Sequence, residues 1–306
     1  MIIQRIQFLI KMIYFEFHQK TKIVNKSLFY LILLLIGISS QTSFAQNETI
    51  EIWPGKVPGE EKPKAEHVIS SNRKYNVIRI SEVVNPTVDV YRPDAAKNNG
   101  AGVLICPGGG YKNLVIDLEG SEIAAWLTDL GYTAFVLHYR VPQKYEGALD
   151  DAKRAMRVIR SSAEKWSLDP NKLGTIGFSA GGSVIGRLAV CDGSKTYQPI
   201  DEIDKLSYRP NATCVIYSGG IVSQRKERQF NYVLDENTAP FFLFRTQDDN
   251  PKTLIQTGLL LEENKVPFEM HILPEGKHGY GLRKGNEAAE LWPVLAEKWF
   301  EKVLIK

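Results

Sequence analysis

The stretch "LGTIGFSAGGSVIGRLAV" (173–190) decides how the chain is read. Its first six residues form a continuous apolar run, the mark of a short strand buried on both faces. The run breaks at Gly177-Phe178-Ser179-Ala180-Gly181-Gly182 and resumes with helical spacing. A strand that passes directly into a helix must reverse within one or two residues. Glycines two before and two after Ser179 remove side chains that would collide in such a turn. The serine is then held in a strained backbone with its hydroxyl projecting, at the head of a helix whose first N–H groups favour negative charge. G-x-S-x-G between a strand and a helix is the pattern of a nucleophile elbow, and a glycine-rich turn is the blander alternative.

Working outward, strands and helices largely alternate from residue 101 onward. "AGVLICP" (101–107) is a second apolar run and ends in Gly108-Gly109-Gly110. "GSEIAAWLTDLG" (120–131) has helical spacing and stops on Gly131. "YTAFVLHYR" (132–140) reads as a strand and 147–166 as a long amphipathic helix. Beyond the elbow come strands at 212–220 and 239–247, a helix at 252–264, a strand at 268–274 and a closing helix at 288–305. In that last helix Pro293 is expected only near the first turn. Ahead of this region, 48–66 is rich in Pro, Gly and charge and reads as an extended lead-in, while 74–81 and 87–93 alternate as strands. The pattern predicts an α/β class fold, one domain over 46–306. A mostly parallel sheet is covered by helices on both faces, the two early strands form an antiparallel edge, and the lid is small or missing.

The start of the chain differs in kind. "SLFYLILLLIGISS" (27–40) is almost wholly apolar, follows Lys20, Lys22 and Lys26, and precedes Ser43-Phe44-Ala45, with small residues at both ends of that triplet. A run of this length falls short of the ~20 apolar residues that span a bilayer. Residues 1–45 are therefore expected to be a secretory signal cleaved after Ala45, leaving a secreted or periplasmic chain with no stable membrane anchor. They hold five basic residues and one acidic residue, so the overall +3 becomes −1 beyond them, 33 basic against 34 acidic. The basic excess belongs to the leader, and nothing in the charge points to nucleic acid. Of the three cysteines, Cys106 and Cys214 sit in apolar runs and read as small buried hydrophobes. No cluster has metal-ligand spacing, "PGGGYKN" lacks the ending of a P-loop, and no cofactor is expected.

In a parallel sheet, reactive groups gather at the carboxyl ends of the strands. A serine hydroxyl needs a base there. Of five histidines, His18 lies in the leader, His67 precedes the sheet, and His138 and His271 lie within strands. His278, in "PEGKHGYGL" just past the last strand, stands where the chain order Ser, acid, His requires a base. The acid must follow a strand between Ser179 and His278, and 239–247 is followed by Asp248 and Asp249 together. Both could instead cap the next helix. Asp249 is read as the acid and Asp248 as its capping or orienting neighbour. Backbone N–H groups of Ala180 and of Gly109, Gly110 and Tyr111 stand where an oxyanion hole belongs.

With these residues in hand, the chain resembles the α/β-hydrolase esterases known as acetylxylan esterases or bifunctional acetyl/feruloyl esterases. The likeness is carried by "IEIWPGKVPGEE", "CPGGGY", "DLEG", "HYRVP", "DDAKRAMRVIRS", "WSLDPNKLGTIGFSAGGS", "FRTQDD" and "GKHGYGL". It implies an α/β-hydrolase fold, Ser179 as nucleophile, His278 as base, Asp249 as acid, the 108–111 loop for the oxyanion, and Glu119 and Arg140 as supporting residues. The blander reading of that last pair is a surface charge pair. The chain departs from the family in Arg245-Thr246, where members commonly carry His-Thr or His-Gly, and in Asn250-Pro251 directly after the acid. Tyr111, Tyr280 and Trp53 could stack on a sugar or an aromatic acyl group, with core packing as the alternative. The expected activity is hydrolysis of acetyl or feruloyl esters on plant polysaccharide such as xylan. The alternatives are a general small-ester carboxylesterase, a prolyl-oligopeptidase-like peptidase, whose usual extra domain 306 residues leave no room for, and a silent fold that binds carbohydrate.

Overall fold

A computed structural model describes residues 48–72, 76–192, 197–223, 226 and 230–306. The expected leader lies outside the described residues. The elbow strand, Leu173–Phe178 (β8), stands near the middle of an eight-stranded sheet. The other strands among the described residues, in order, are Glu48–Glu51 (β1), Val68–Asn72 (β2), Val77–Ser81 (β3), Thr87–Tyr91 (β4), Gly102–Cys106 (β5), Leu114–Val115 (β6), Thr133–His138 (β7), Ala212–Ile216 (β9), Phe241–Thr246 (β10) and Phe268–Leu273 (β11). The large sheet runs β1-β4-β7-β5-β8-β9-β10-β11. From β7 to β11 every neighbour pair is parallel, while β1 and β4 are antiparallel.

Parallel strands need crossovers, and helices Glu122–Asp129 (α1), Tyr145–Ser161 (α2), Ala180–Val190 (α3) and Lys252–Glu263 (α4) lie within them. Glu287–Phe300 (α5) follows the last strand. Alternation along a strand sends side chains to opposite faces, so β5 gives Leu104 and Cys106 to the core under α2, α3 and α4. Val103 and Ile105 go to the core under α1 and α5. That two-sided burial explains why β5, β7, β8 and β9 read as unbroken apolar runs. All three cysteines are free and buried.

Three expectations need correction. Of the two early strands only β4 joins the large sheet. β3 pairs with β2 and β6 in a separate three-stranded antiparallel sheet, and the edge is β1, from the lead-in. Four residues with a glutamate at each end suit an edge, where short charged strands discourage pairing with another chain. The long helix ends at Ser161, and a separate 3₁₀ turn, Ala163–Trp166, carries the chain on. Pro293 is the seventh residue of α5, in its second turn. The hydrogen bond lost there is offset by a face that buries Trp292, Ala296, Trp299 and Phe300.

The lead-in is also no loose arm. Trp53 is fully buried and its indole N–H donates to Asp151 Oδ1 at 2.8 Å. Arg154 Nε donates to the Ile52 carbonyl at 2.9 Å, and Arg140 Nη1 to the Pro58 carbonyl at 2.5 Å. Arg140 also pairs with Asp151, Nε to Oδ2 at 2.9 Å, with both side chains buried. Burial raises the Asp151 carboxyl's pKa against the pull of that guanidinium. Arg140 therefore clamps the lead-in onto α2 and is a buried ion-pair partner, not a surface charge. Trp53, as core, is out of reach of a sugar.

Candidate active site

Ser179 stands between β8 and α3 at φ +50° and ψ −116°, a conformation that non-glycine residues rarely hold. What enforces it is the closeness of the two elements. A Cβ on Gly177 would lie 2.5 Å from the Gly181 carbonyl oxygen, and one on Gly181 would lie 1.9 Å from that of Cys106. The Ser179 N–H donates to Ile216 O on β9 at 3.1 Å, which fixes the turn against the neighbouring strand. The glycines required by local sterics in the sequence are thus those that let α3 sit on β5 and β8.

His278 lies in the loop after β11, its side chain about half exposed, and its ring joins Ser179 to Asp249. Nδ1 is 2.8 Å from Asp249 Oδ2 and Nε2 is 2.8 Å from Ser179 Oγ. An ionised carboxylate only accepts, so Nδ1 carries the proton and donates, which leaves Nε2 to accept from the hydroxyl. Asp249 closes a 3₁₀ turn, Gln247–Asp249, that follows β10. Asp248 turns the other way: its carboxylate accepts the Lys277 N–H at 2.9 Å and the Gly276 N–H at 3.3 Å. It therefore holds the histidine loop, and Pro251, not either aspartate, stands at the N-cap of α4.

The glycine loop lies against the serine, since a Cβ on Gly108 would fall 2.8 Å from Ser179 Cβ. Gly109 (φ +133°) and Gly110 (φ +68°) take backbone angles that side chains disfavour, and a Cβ on Gly109 would meet the Asn113 carbonyl oxygen at 2.0 Å. Ala180 opens α3, whose first N–H groups have no partner within the helix. Both sequence-predicted sources of oxyanion donors thus adjoin the serine. The Tyr111 ring, by contrast, is buried against Tyr139 and Tyr145.

Among proteins of known family, the BD-FAE model matches residues 88–214, from β4 through the elbow to β9. The crystal structure of an acetyl ester-xyloside bifunctional hydrolase from Caldicellulosiruptor lactoaceticus aligns over 86% of this chain and 98% of its own, with a TM-score of 0.69 and 27% identity. This chain has the α/β-hydrolase fold and is similar to proteins named as acetyl ester hydrolases. The acetylxylan esterase of Xylanibacter ruminicola is 27% identical over 60% of this chain and 42% of its own length. Endo-1,4-beta-xylanase B of Butyrivibrio fibrisolvens is 32% identical over 58% and 32%. The chain spans less than half the length of these two curated relatives.

Behind the serine this α/β-hydrolase buries a carboxyl group. Glu119 Oε2 accepts the Gly108 N–H at 2.7 Å and Oε1 accepts the Tyr217 hydroxyl at 2.8 Å. Burial raises the Glu119 pKa even though both partners donate to it. The Tyr217 ring stands 5.0 Å from the His278 ring and 4.6 Å from that of Tyr280. Glu119 thus ties the glycine loop to the aromatic wall beside the histidine. Tyr280 is part of that wall and nearly buried, and its hydroxyl has no hydrogen-bond partner among the described residues. Sequence reasoning missed Tyr217 and Tyr139, whose hydroxyl donates to the Pro107 carbonyl at 2.7 Å and steadies the same loop. Both tyrosines directly follow strands, β9 and β7, and that placement was the available signal.

Glu119→Ala is expected to strand two buried donors, at about 1–3 kcal/mol each. Its thermal midpoint should fall by roughly 5–15 °C on that scale, and kcat should drop with it. Glu119→Gln keeps the Gly108 bond through its amide oxygen and meets the Tyr217 oxygen with an N–H, stranding one donor and not two, so it should lose less of both. Equal losses in the two variants, by thermal melt and ester assay, would contradict the hydrogen-bonding role.

Proposed function

We propose that this α/β-hydrolase is an exported serine esterase that removes acetyl groups from plant polysaccharide such as xylan. The observation that carries the reading is the imidazole of His278, held 2.8 Å from both Ser179 Oγ and Asp249 Oδ2 at the strand ends. Ser179 Oγ attacks the ester carbonyl and passes its proton to His278 Nε2, while Asp249 steadies the imidazolium. The carbonyl oxygen, now negative, is met by backbone N–H groups of Ala180 and the 109–111 loop. His278 returns the proton to the sugar oxygen as the carbon–oxygen bond breaks, leaving an acetyl-serine. Water, deprotonated by the same imidazole, releases acetate and restores the serine. The names of two similar proteins, an acetylxylan esterase and an acetyl ester-xyloside bifunctional hydrolase, support acetyl over feruloyl as the acyl group.

Acetate release from acetylated xylan, beside cleavage of an aryl acetate and of methyl ferulate, tests this reading. Aryl acetate turnover without acetate from xylan would leave a small-ester esterase. Preference for methyl ferulate would reverse the acyl assignment.

The two aspartates separate cleanly. Asp249→Asn should lower kcat by about three to four orders of magnitude, because an amide in place of the carboxylate favours the wrong tautomer. Asp248→Asn leaves the imidazole's partner in place and should cost less than about tenfold, through the loosened 276–277 backbone. The reverse order of losses in a steady-state assay would exchange the assignments.

A further inference from the structure

The Asp249 carboxylate has a second partner four residues back, on the strand that leads into its turn. Arg245, on β10, places Nε 3.0 Å from Asp249 Oδ2 and 2.8 Å from the Asp249 carbonyl oxygen. The oxygen bound by the guanidinium is the one that also receives His278 Nδ1. Both side chains of the Arg245–Asp249 pair are largely shielded, 13% and 15% exposed, so water screens the pair only in part. We propose that Arg245 is a positioning residue whose fixed charge on that shared oxygen restrains proton uptake by His278 and extends activity toward lower pH. The inference rests on the triad reading above.

The reasoning is electrostatic. The Asp249 carboxylate stabilises a positive imidazole, and a guanidinium on the same oxygen opposes it. Other groups facing the ring are accounted for. Ser179 Oγ is neutral, and Tyr217 stacks beside it with its hydroxyl given to Glu119. Burial pushes the Tyr217 and Tyr280 hydroxyls up, which keeps them uncharged in the working range. Glu119 is a further carboxyl in electrostatic reach of His278, from behind Tyr217. Asp248 is occupied by backbone N–H groups of the histidine's own loop, which also carries Lys277. Arg245 is the cation in direct contact with the acid.

The test is the pH profile of kcat/KM on an aryl acetate for Arg245→Gln, Arg245→Lys and Asp249→Asn. Arg245→Gln keeps a donor but loses the charge, and its acid limb should move to higher pH by about 0.5–1 unit. Arg245→Lys keeps the charge, and its limb should stay with the parent protein's. KM should change in neither, because Arg245 lies behind the acid and touches no substrate. A limb unmoved in Arg245→Gln, or moved equally in both variants, would overturn the inference and leave a structural ion pair. Asp249→Asn keeps the two failures apart: undiminished activity there would remove the triad reading itself.

Discussion

Ser179→Ala is expected to lower kcat/KM on an aryl acetate by about four orders of magnitude or more, to the residual level that binding and the oxyanion donors provide. The change removes the attacking oxygen and the hydrogen bond to His278 Nε2. It leaves the φ +50° backbone, the Ile216 anchor and the packing of α3 in place. The melting midpoint should therefore stay within a few degrees of the parent protein, which separates chemistry from folding. A fluorophosphonate should add one adduct to the parent chain and none to the variant, read by intact mass. Turnover or labelling undiminished in Ser179→Ala would end the claim that this serine is the nucleophile.

Gly181→Ala should be the most damaging single methyl in the molecule's centre. Its Cβ would lie 1.9 Å from the Cys106 carbonyl oxygen, 2.5 Å from the Cys106 carbonyl carbon and 2.6 Å from the Pro107 oxygen. These are backbone atoms of a central strand and its exit, with strands paired on both sides, so no side chain can swing away. Relief requires α3 to move off the sheet, carrying Ser179 with it. Overpacking typically costs about 1–3 kcal/mol, and a clash between two backbones belongs at or above the upper end. A fall of roughly 10 °C in midpoint is expected on the usual scale for a domain of this size, or loss of soluble protein. Gly55→Ala is the control, since a Cβ there meets nothing within 4 Å and its φ is ordinary. A Gly181→Ala midpoint matching that control would show that the elbow is not sterically pinned.

How much of this was legible in the sequence depended on the range of the interaction. β5, β7, β8 and β9 were readable because strands buried on both faces leave continuous apolar runs. Glu48–Glu51 gave no such signal: it is short and polar at both ends, and it is a strand only because β4 offers an open edge. The alternation of Val77–Ser81 correctly suggested a strand but could not say which sheet receives it. Pro293 misled for a similar reason, since local propensity opposes the helix and burial of its tryptophan face overrides it. In the sequence Trp53 reads as a possible sugar contact and Arg140 as a supporting or surface charge, yet both bond Asp151, nearly a hundred residues from Trp53.

By itself, the sequence determined the elbow. Its geometry depends on contacts among a few consecutive residues, and glycines at 177, 181 and 182 around a serine admit few other backbones. It also narrowed the proposed base to His278 and the proposed acid to two neighbours, because chain order and strand ends restrict the candidates. Only the tertiary structure decided that Asp249 faces the imidazole while Asp248 holds its loop, that Arg245 shares the acid's oxygen, and that Glu119 joins the glycine loop to Tyr217. Those choices depend on where segments tens of residues apart meet. A carboxylate's direction is set by the donors that surround it in space, and adjacent residues in the chain do not carry that information.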